Sequence, residues 1–204
     1  MSISQRLFAA SYDLLNWGVE GRLTAYRTRT AGRARGEVLE IGGGTGANLP
    51  FYPPEARLTF VEPNPHMVRR LRRKARGLGR DIRVVSDAGE RLSFPDGSFD
   101  NVVTSLVLCM VEDVEQVVSE ARRVLRPGGA FYFYEHVVST RPAGRAWQTR
   151  LNPVWRFFTT GCNLDRDITE TIETAGFERV DVERFDLSVG LPVTIPNILG
   201  VAWL

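Results

Sequence analysis

The sequence predicts an α/β fold in which a mostly parallel, seven-stranded sheet is covered by helices on both faces. Two observations support this prediction. Apolar, strand-like runs alternate with amphipathic helical segments along the chain, and the first of these runs ends in a glycine-rich turn. Such alternation is typical of parallel sheets, because a crossover connection must bring the chain back to the same edge. The composition fits one domain: the 204 residues are 43% hydrophobic and 25% charged, as in an ordinary soluble globular protein.

The individual elements follow from hydrophobic periodicity. Strands are expected at 38–41, 57–62, 81–87, 99–107, 130–138, 179–185 and 197–204. Helices are expected at 2–17, 22–35, 65–78, 112–125 and 168–175. Pro65 suits the first turn of a helix, whereas Asn-Leu-Pro at 48–50 and Pro-Pro at 53–54 would quickly end any helix that follows the glycines.

The glycine-rich turn at 37–46 reads Glu-Val-Leu-Glu-Ile-Gly-Gly-Gly-Thr-Gly. The spacing of Gly42, Gly44 and Gly46 differs from the dinucleotide pattern G-x-G-x-x-G, because the third glycine comes one residue early. Glu40 lies directly before the glycines, where its carboxylate would repel a pyrophosphate and could hold an ammonium group. The turn therefore favours a small cationic, adenosine-bearing ligand over a phosphate-rich one.

Several polar residues fall at the predicted carboxyl ends of strands. Glu62 follows the glycines by roughly 20 residues, where an acidic side chain commonly binds ribose hydroxyls; otherwise it is a surface carboxylate. Asp87, Leu106 and His136 end three further strands. Because ligands of open parallel sheets bind beyond the carboxyl ends of the strands, these residues mark one candidate site together with the glycines.

The motifs resemble those of class I S-adenosylmethionine-dependent methyltransferases. In chain order they are Glu-Ile-Gly-Gly-Gly-Thr-Gly-Ala-Asn, Val-Glu-Pro-Asn-Pro-His, Thr-Ser-Leu-Val-Leu-Cys, Arg-Arg-Val-Leu-Arg-Pro-Gly-Gly and Tyr-Glu-His-Val. Leu-Val-Leu-Cys at 106–109, Glu-His-Val at 135–137 and Gly-Cys-Asn-Leu at 161–164 are more particular. They are similar to the methyltransferase-like thiol S-methyltransferases of animal endoplasmic reticulum and lipid droplets and to their bacterial relatives. The animal proteins carry an N-terminal membrane anchor that has no counterpart here, and Gly43 stands where cysteine is frequent.

The resemblance implies a Rossmann-like domain over 1–204 that binds S-adenosyl-L-methionine and releases S-adenosyl-L-homocysteine. Within it, 1–35 would be an N-terminal helical lid segment and 36–204 the core, with an acceptor-side insertion near 141–163. A helix at 2–17 could instead simply pack on the core, and 22–35 is expected to be solvated. The implied cofactor-binding residues are Glu40, Gly42, Gly43, Gly44, Gly46, Glu62, Pro63, Met67, Asp87, Ala88 and Leu106. The implied acceptor pocket contains Tyr12, Cys109, Trp147, Trp155, Cys162 and Asn163.

His136 is the candidate catalytic residue. An acceptor thiol, with a pKa of about 8.5 when free, needs only modest help to become a thiolate, and histidine titrates near neutrality. His136 could also be a neutral imidazole bonded to a loop carbonyl, and His66 is expected to be solvated. Cys109 could be a small core residue, and the aromatic residues near 147–158 could be plain core.

We expect an enzyme that methylates a small apolar acceptor, most plausibly a thiol. The alternatives are O-, N- or C-methylation of a natural product, a quinone precursor or a phospholipid amine, and a cofactor-binding protein without turnover. A net charge of +2 gives no reason to expect nucleic acid, and two cysteines without ligand spacing indicate neither a disulfide framework nor a metal. No transmembrane segment or secretory signal is apparent, so a cytoplasmic location is expected. The basic face of 65–78 is solvated or contacts an anionic membrane, and the oligomeric state stays open.

Overall fold

A computed structural model describes residues 20–159, 161–188 and 194–204, without the side chains of residues 20–22, 158 and 188. The helices are α1 (Glu20–Arg29), α2 (Pro65–Gly77), α3 (Val114–Val124), α4 (Pro142–Thr159) and α5 (Ile168–Thr174). The strands are β1 (Glu37–Ile41), β2 (Arg57–Val61), β3 (Ile82–Val85), β4 (Phe99–Ser105), β5 (Leu125–His136), β6 (Arg179–Ser188) and β7 (Thr194–Trp203). The predicted helix at 2–17, with Tyr12, lies outside the described residues.

The seven strands form one sheet in the order β3-β2-β1-β4-β5-β7-β6. The four pairs from β3 to β5 are parallel, and β7 runs antiparallel to both of its neighbours. The chain leaves β1 toward β2 on one side and later returns to place β4 on the other, so the strand order reverses beside β1. This architecture confirms the predicted fold class, and the reversal puts the preferred ligand crevice at the carboxyl ends of β1 and β4.

The alternation of side chains along β1 explains why helices cover both faces of the sheet. Val38 packs in a cluster with Leu71 of α2, whereas Leu39 belongs to a cluster with Val117 of α3 and Ile172 of α5. Successive residues of a strand point to opposite faces, so a strand that is buried at successive positions needs a cover on each side. Both clusters consist of fully buried residues.

One region matches the sequence-based expectation, and a second differs from it. After the glycines the chain forms turns and a short 3₁₀ helix, Leu49–Phe51, because Pro50 and Pro53 prevent a longer helix there. The stretch near 141–163, which was expected as an acceptor-side insertion without an assigned helix, is largely the helix α4. Pro153 lies inside α4, and this proline masked the helical pattern. None of the helices in the described ranges has the length and apolar content needed to cross a bilayer.

Candidate active site

The glycine-rich turn is held against the end of β2. The backbone N–H groups of Gly42 and Gly43 donate to the carbonyl of Val61, at 2.9 and 3.1 Å. Gly42 has φ +74°, and a Cβ there would lie only 2.8 Å from the Cβ of Val107. Gly44 also has a positive φ of +53°, but a Cβ there would meet no heavy atom closer than 4.0 Å. The glycines therefore serve tight packing at Gly42 and leave open space beside Gly44.

The remaining glycines of the turn are also tightly packed. A Cβ at Gly43 would lie 2.7 Å from Cδ1 of Phe60, and one at Gly46 would lie 2.8 Å from Cδ1 of Leu71. Gly46 has φ +81° as well. The turn thus sits directly on β2 and α2, which fixes its position relative to Glu62.

Glu62 connects the glycine-rich turn to the segment that follows β2. Its two carboxylate oxygens accept hydrogen bonds from the backbone N–H groups of Gly44 and Asn64, each at 2.8 Å. Burial raises the pKa of Glu62, and these two amides offset part of that effect. Asn64 also caps α2, where Pro65 is the first residue as predicted. The carboxylate keeps further lone pairs that could accept from ligand hydroxyls.

Four other predicted cofactor residues follow β2 and β3 in the chain. Pro63 is exposed and Met67, in the first turn of α2, is 4% exposed. The Asp87 carboxylate accepts from the backbone N–H of Ser93 at 2.8 Å. Asp87 and Ala88 line a surface cavity of about 720 Å³ with Arg91, Leu92, Ser93, Phe94, Pro95 and Arg123. The glycine-rich turn does not line this cavity, so the cofactor contact of Asp87 and Ala88 stays a prediction.

Glu40 lies at the centre of a buried polar network that the sequence did not reveal. Its carboxylate accepts from the side-chain amide of Asn48 at 3.0 Å and from the hydroxyl of Tyr52 at 2.6 Å. Arg27 donates to the amide oxygen of Asn48 at 2.7 Å. Burial raises the pKa of Glu40 to about 7, although Tyr52, Arg27 and Asn48 each lower it, and the charge of Glu62 raises it further.

The expectation that residues 22–35 are a solvated helix is wrong for Arg27, which is only 3% exposed. Its charge lies beside the buried Glu40, which favours a buried guanidinium. On the same helix, the ring of Tyr26 stacks on Tyr134 and Phe185, with centroids 5.2 and 4.5 Å apart. Contacts between residues so distant in sequence leave no local pattern that could have indicated them.

The two carboxylates next to the glycine-rich turn fit S-adenosylmethionine chemically. Glu40 and Glu62 are 4% and 7% exposed, and the negative charge of Glu62 raises the pKa of Glu40. Buried carboxylates that repel each other favour a ligand with a cationic group and hydroxyl donors, and they disfavour a phosphate-rich ligand. The cofactor has an ammonium, a sulfonium and ribose hydroxyls, so the donor set matches it.

The loop after β4 is held by a second buried acid. Leu106 has φ +56°, which is strained for a residue with a side chain. The backbone N–H groups of Val107 and Leu108 donate to the carboxylate of Glu135, at 3.3 and 3.2 Å. Glu135 is fully buried, and burial raises its pKa to about 7 against the opposing effect of these two amides. Sequence reasoning quoted Glu135 within a motif but assigned it no role.

Two cysteines and a histidine meet at the carboxyl ends of β4 and β5. The Nε2 atom of His136 lies 2.6 Å from Sγ of Cys162, and the sulfurs of Cys162 and Cys109 are 3.3 Å apart. All three side chains are buried, and both thiols are free of disulfide bonds. We call Cys109, His136 and Cys162 the sulfur–imidazole cluster.

Ionisation within the sulfur–imidazole cluster is asymmetric. A hydrogen bond from Cys109 lowers the pKa of the Cys162 thiol; burial opposes this, and His136 lowers it further. The hydrogen bond with Cys162 and burial raise the pKa of Cys109 well above its usual range. Burial lowers the pKa of His136, but the hydrogen bond and charge of Cys162 outweigh this effect and the net shift is upward.

Most of the predicted acceptor-pocket residues meet at this cluster. The backbone N–H and side-chain amide of Asn163 both donate to the carbonyl of Cys109, at 2.8 and 3.0 Å. The indole N–H of Trp155 lies 3.4 Å from Sγ of Cys162. Trp147 instead lies on the surface of α4 and is 44% exposed. The structure therefore brings together four of the six predicted pocket residues, while Tyr12 falls outside the described ranges.

Comparison with known proteins agrees with this geometry. Residues 39–133 match the family model described as a methyltransferase domain. Human thiol S-methyltransferase TMT1A is 41% identical over 170 residues, which are 81% of this chain and 69% of that protein. A phosphatidylethanolamine N-methyltransferase of Cereibacter sphaeroides is 38% identical over 117 residues, which are 54% of this chain and 57% of that protein.

A solved structure supports the fold independently. A SAM-dependent methyltransferase from Thermotoga maritima superposes with a TM-score of 0.69 at 20% identity, covering 94% of this chain and 92% of that chain. An identity of 20% supports only the fold, whereas the 41% identity to TMT1A supports membership of the family. The chain belongs to the class I S-adenosylmethionine-dependent methyltransferases.

Proposed function

We propose that this methyltransferase transfers the methyl group of S-adenosylmethionine to the sulfur of a small apolar thiol. The observation that carries the proposal is the 41% identity to a thiol S-methyltransferase across 81% of the chain. The sulfur–imidazole cluster supports it, because soft, polarisable groups beside the acceptor suit a soft nucleophile better than a hard one.

Methyl transfer from a sulfonium is an in-line displacement, so the protein mainly supplies alignment and a site without water. The cofactor, when bound, supplies the activated methyl group. The proposed role of Glu62 is to hold the ribose hydroxyls while it fixes the turn through Gly44. The proposed role of Glu40 is to face the ammonium group from the end of β1. The glycine-rich turn leaves space beside Gly44 for the methionine portion.

The acceptor would bind at the carboxyl ends of β4 and β5. Glu135 accepts hydrogen bonds from the loop of Leu106–Leu108, and Asn163 donates a hydrogen bond to the carbonyl of Cys109. His136, predicted as the general base, already shares a hydrogen bond with Cys162 through Nε2. We therefore assign activation of the acceptor to the sulfur–imidazole cluster as a unit.

A second candidate function is N-methylation of a phospholipid amine. The relative from Cereibacter sphaeroides carries this activity in its name. In addition, α4 exposes large apolar side chains at Trp147, Leu151, Val154 and Phe157, which are 44%, 38%, 56% and 80% exposed. Such a stripe suits an acceptor that resides in a lipid surface.

Methyl transfer from labelled cofactor to matched acceptors tests the proposal. The panel pairs each apolar thiol with the alcohol and the amine of the same carbon skeleton and includes vesicles containing phosphatidylethanolamine. We expect label only on the thiols. Label in the lipid amine would favour the second candidate, and cofactor binding without transfer to any acceptor would contradict both. A Glu62→Gln variant controls for transfer that does not depend on the cofactor site.

A further inference from the structure

We propose that Cys109, His136 and Cys162 bind one zinc-class divalent cation and leave a coordination position for the acceptor sulfur. Two thiolates and an imidazole are the ligands that zinc prefers in proteins, and three protein ligands with one open position are typical of catalytic rather than structural zinc. The second part of the proposal, the open position for a thiolate, rests on the proposed thiol S-methylation. The binding of the cation does not.

The three ligand atoms lie close enough together to surround one tetrahedral ion after small movements. No two of them are more than 4.8 Å apart. Around zinc, with bonds of about 2.0–2.3 Å, neighbouring sulfur and nitrogen ligands lie about 3.5–3.8 Å apart. The observed 3.3 Å between the sulfurs and 2.6 Å between Nε2 of His136 and Sγ of Cys162 are shorter. An ion between them needs them to open by about 1 Å or less.

The short separations require a proton or a cation between the three ligand atoms. Sulfur and unprotonated ring nitrogen present lone pairs, and such atoms repel each other unless a proton or a metal ion lies between them. In the metal-free chain, protons in the hydrogen bonds that join Cys162 to His136 and to Cys109 fill this role. A divalent cation would replace them and leave a neutral assembly of two thiolates and an imidazole, which suits a site buried in the protein.

The ligands come from three separate segments, and hydrogen bonds hold each segment in place. Glu135 accepts from the loop amides next to Cys109, and Asn163 donates twice to the Cys109 carbonyl. His136 ends β5 and is paired with Asn197 of β7. The site is therefore built before any ion arrives, which lowers the cost of organising it.

The surroundings of Cys162 also suit a metal-bound thiolate. The indole N–H of Trp155 points to its sulfur at 3.4 Å, a contact of the kind that supports ligands from outside the coordination sphere. The guanidinium of Arg166 is bound to backbone carbonyls, including that of Leu108 at 3.0 Å. The carboxylate of Glu135 accepts from the backbone N–H groups of Val107 and Leu108, directly before Cys109 in the chain.

An ion here would explain a preference for thiol acceptors. An acceptor thiol that takes the open position releases its proton to solvent and becomes a metal-bound thiolate. That sulfur then forms the new bond to the methyl carbon while the carbon–sulfur bond of S-adenosylmethionine breaks, which gives a neutral thioether and S-adenosylhomocysteine. Because neutral thioethers are weak zinc ligands, the product leaves the position open again.

Cobalt(II) is the probe for the site. The full chain, purified reduced and under nitrogen, is analysed for bound metal and, after chelation, titrated with cobalt(II). We expect one ion per chain, with the visible bands of tetrahedral cobalt and a thiolate-to-cobalt charge-transfer band. Cys109→Ser and Cys162→Ser should each lose about half of that band, and His136→Ala should weaken binding at least tenfold. His66→Ala removes the other histidine and should bind cobalt like the parent chain.

Several results would overturn the proposal. These are no charge-transfer band, a band that both serine variants retain, or a Cys109–Cys162 disulfide without metal in the anaerobic protein. Calorimetry of S-adenosylmethionine binding shows whether each variant is folded, because the cofactor residues are separate from the cluster. If Cys109→Ser does not fold, Cys109→Ala and the His136 variant decide the question.

The open position has its own measurement. Adding an apolar thiol to the cobalt form should shift the visible cobalt bands, and the matching alcohol should not; no shift with the thiol would contradict the open position. Chelated protein should lose at least tenfold in thiol methylation. Full thiol methylation without metal would overturn the metal proposal and leave the proposed function intact. A metal-bound enzyme that methylates only amines would overturn the proposed function and leave the metal-binding proposal intact.

Discussion

Glu40 offers a quantitative test, because it is a fully buried acid whose pKa burial raises to about 7. We consider the substitution Glu40→Gln, which keeps the size of the side chain but cannot ionise. The amide oxygen can still accept from Asn48, and the amide nitrogen can donate to the hydroxyl of Tyr52 in place of the bond that Tyr52 now donates. The network therefore survives, and the main change is the loss of a titrating group.

The sign of the effect follows from the direction of the shift. The pKa is higher in the folded chain than the ordinary value of 4.5, so the folded state binds the proton more tightly. The stability that Glu40 contributes is complete below pH 4.5 and is lost as the pH rises through about 7. At about 1.4 kcal/mol for each pH unit of the shift, this loss is on the order of 3 kcal/mol.

Urea unfolding of the parent chain and of Glu40→Gln at pH 5 and pH 8, followed by circular dichroism, measures this difference. The parent should lose on the order of 3 kcal/mol more between the two pH values than the variant loses. Glu62 and Glu135 also have raised pKa values, but they are present in both chains, so the comparison isolates Glu40. Equal losses in the two chains would refute the assignment of a buried, raised-pKa carboxylate at this position.

Three further predictions concern the cofactor side. Glu62→Gln removes a charged acceptor from two backbone amides, so calorimetry should show S-adenosylmethionine binding weakened roughly ten- to hundredfold with an unchanged fold; unchanged affinity would remove the ribose assignment. Gly42→Ala should destabilise the chain by about 2 kcal/mol more than Gly44→Ala, since both have positive φ but only Gly42 lacks space for a Cβ; equal melting temperatures would contradict this. Arg27→Met should lower the free energy of unfolding by on the order of 2 kcal/mol at pH 8, and by less at pH 5, where Glu40 is protonated. Equal losses at the two pH values would count against the pairing of Arg27 with Glu40.

The fold was predictable because its signals are local. The apolar run before the glycines, the Asn64–Pro65 helix start and the alternation of strands with helices each depend on residues close in sequence. The same holds for the positions of Glu40 and Glu62, since the carboxyl ends of neighbouring parallel strands meet at one edge. Where a residue disfavours the element that forms, as Pro153 does within α4, the helix was not predicted.

The interior chemistry of the site was not predictable in the same way. Arg27 and Asn48 are 21 residues apart, and Cys109 and Cys162 are 53 apart. The spacing of two lone cysteines along the chain indicated no metal site, because the third ligand, His136, comes from another strand. Only the packing of α4 and the following loop against the end of β5 brings these atoms together. The role of Glu135 was hidden for the same reason, as its partners are backbone amides of the loop after β4.

The most direct test of thiol S-methylation is an acceptor that carries a thiol and an amine on the same apolar ring, such as 2-aminothiophenol. Both groups then reach the site with equal opportunity. The product formed with cofactor carrying a ¹³C-labelled methyl group is examined by NMR, which separates S-methyl from N-methyl and C-methyl carbons. The account predicts a single S-methyl product. An N-methyl or C-methyl product would contradict it.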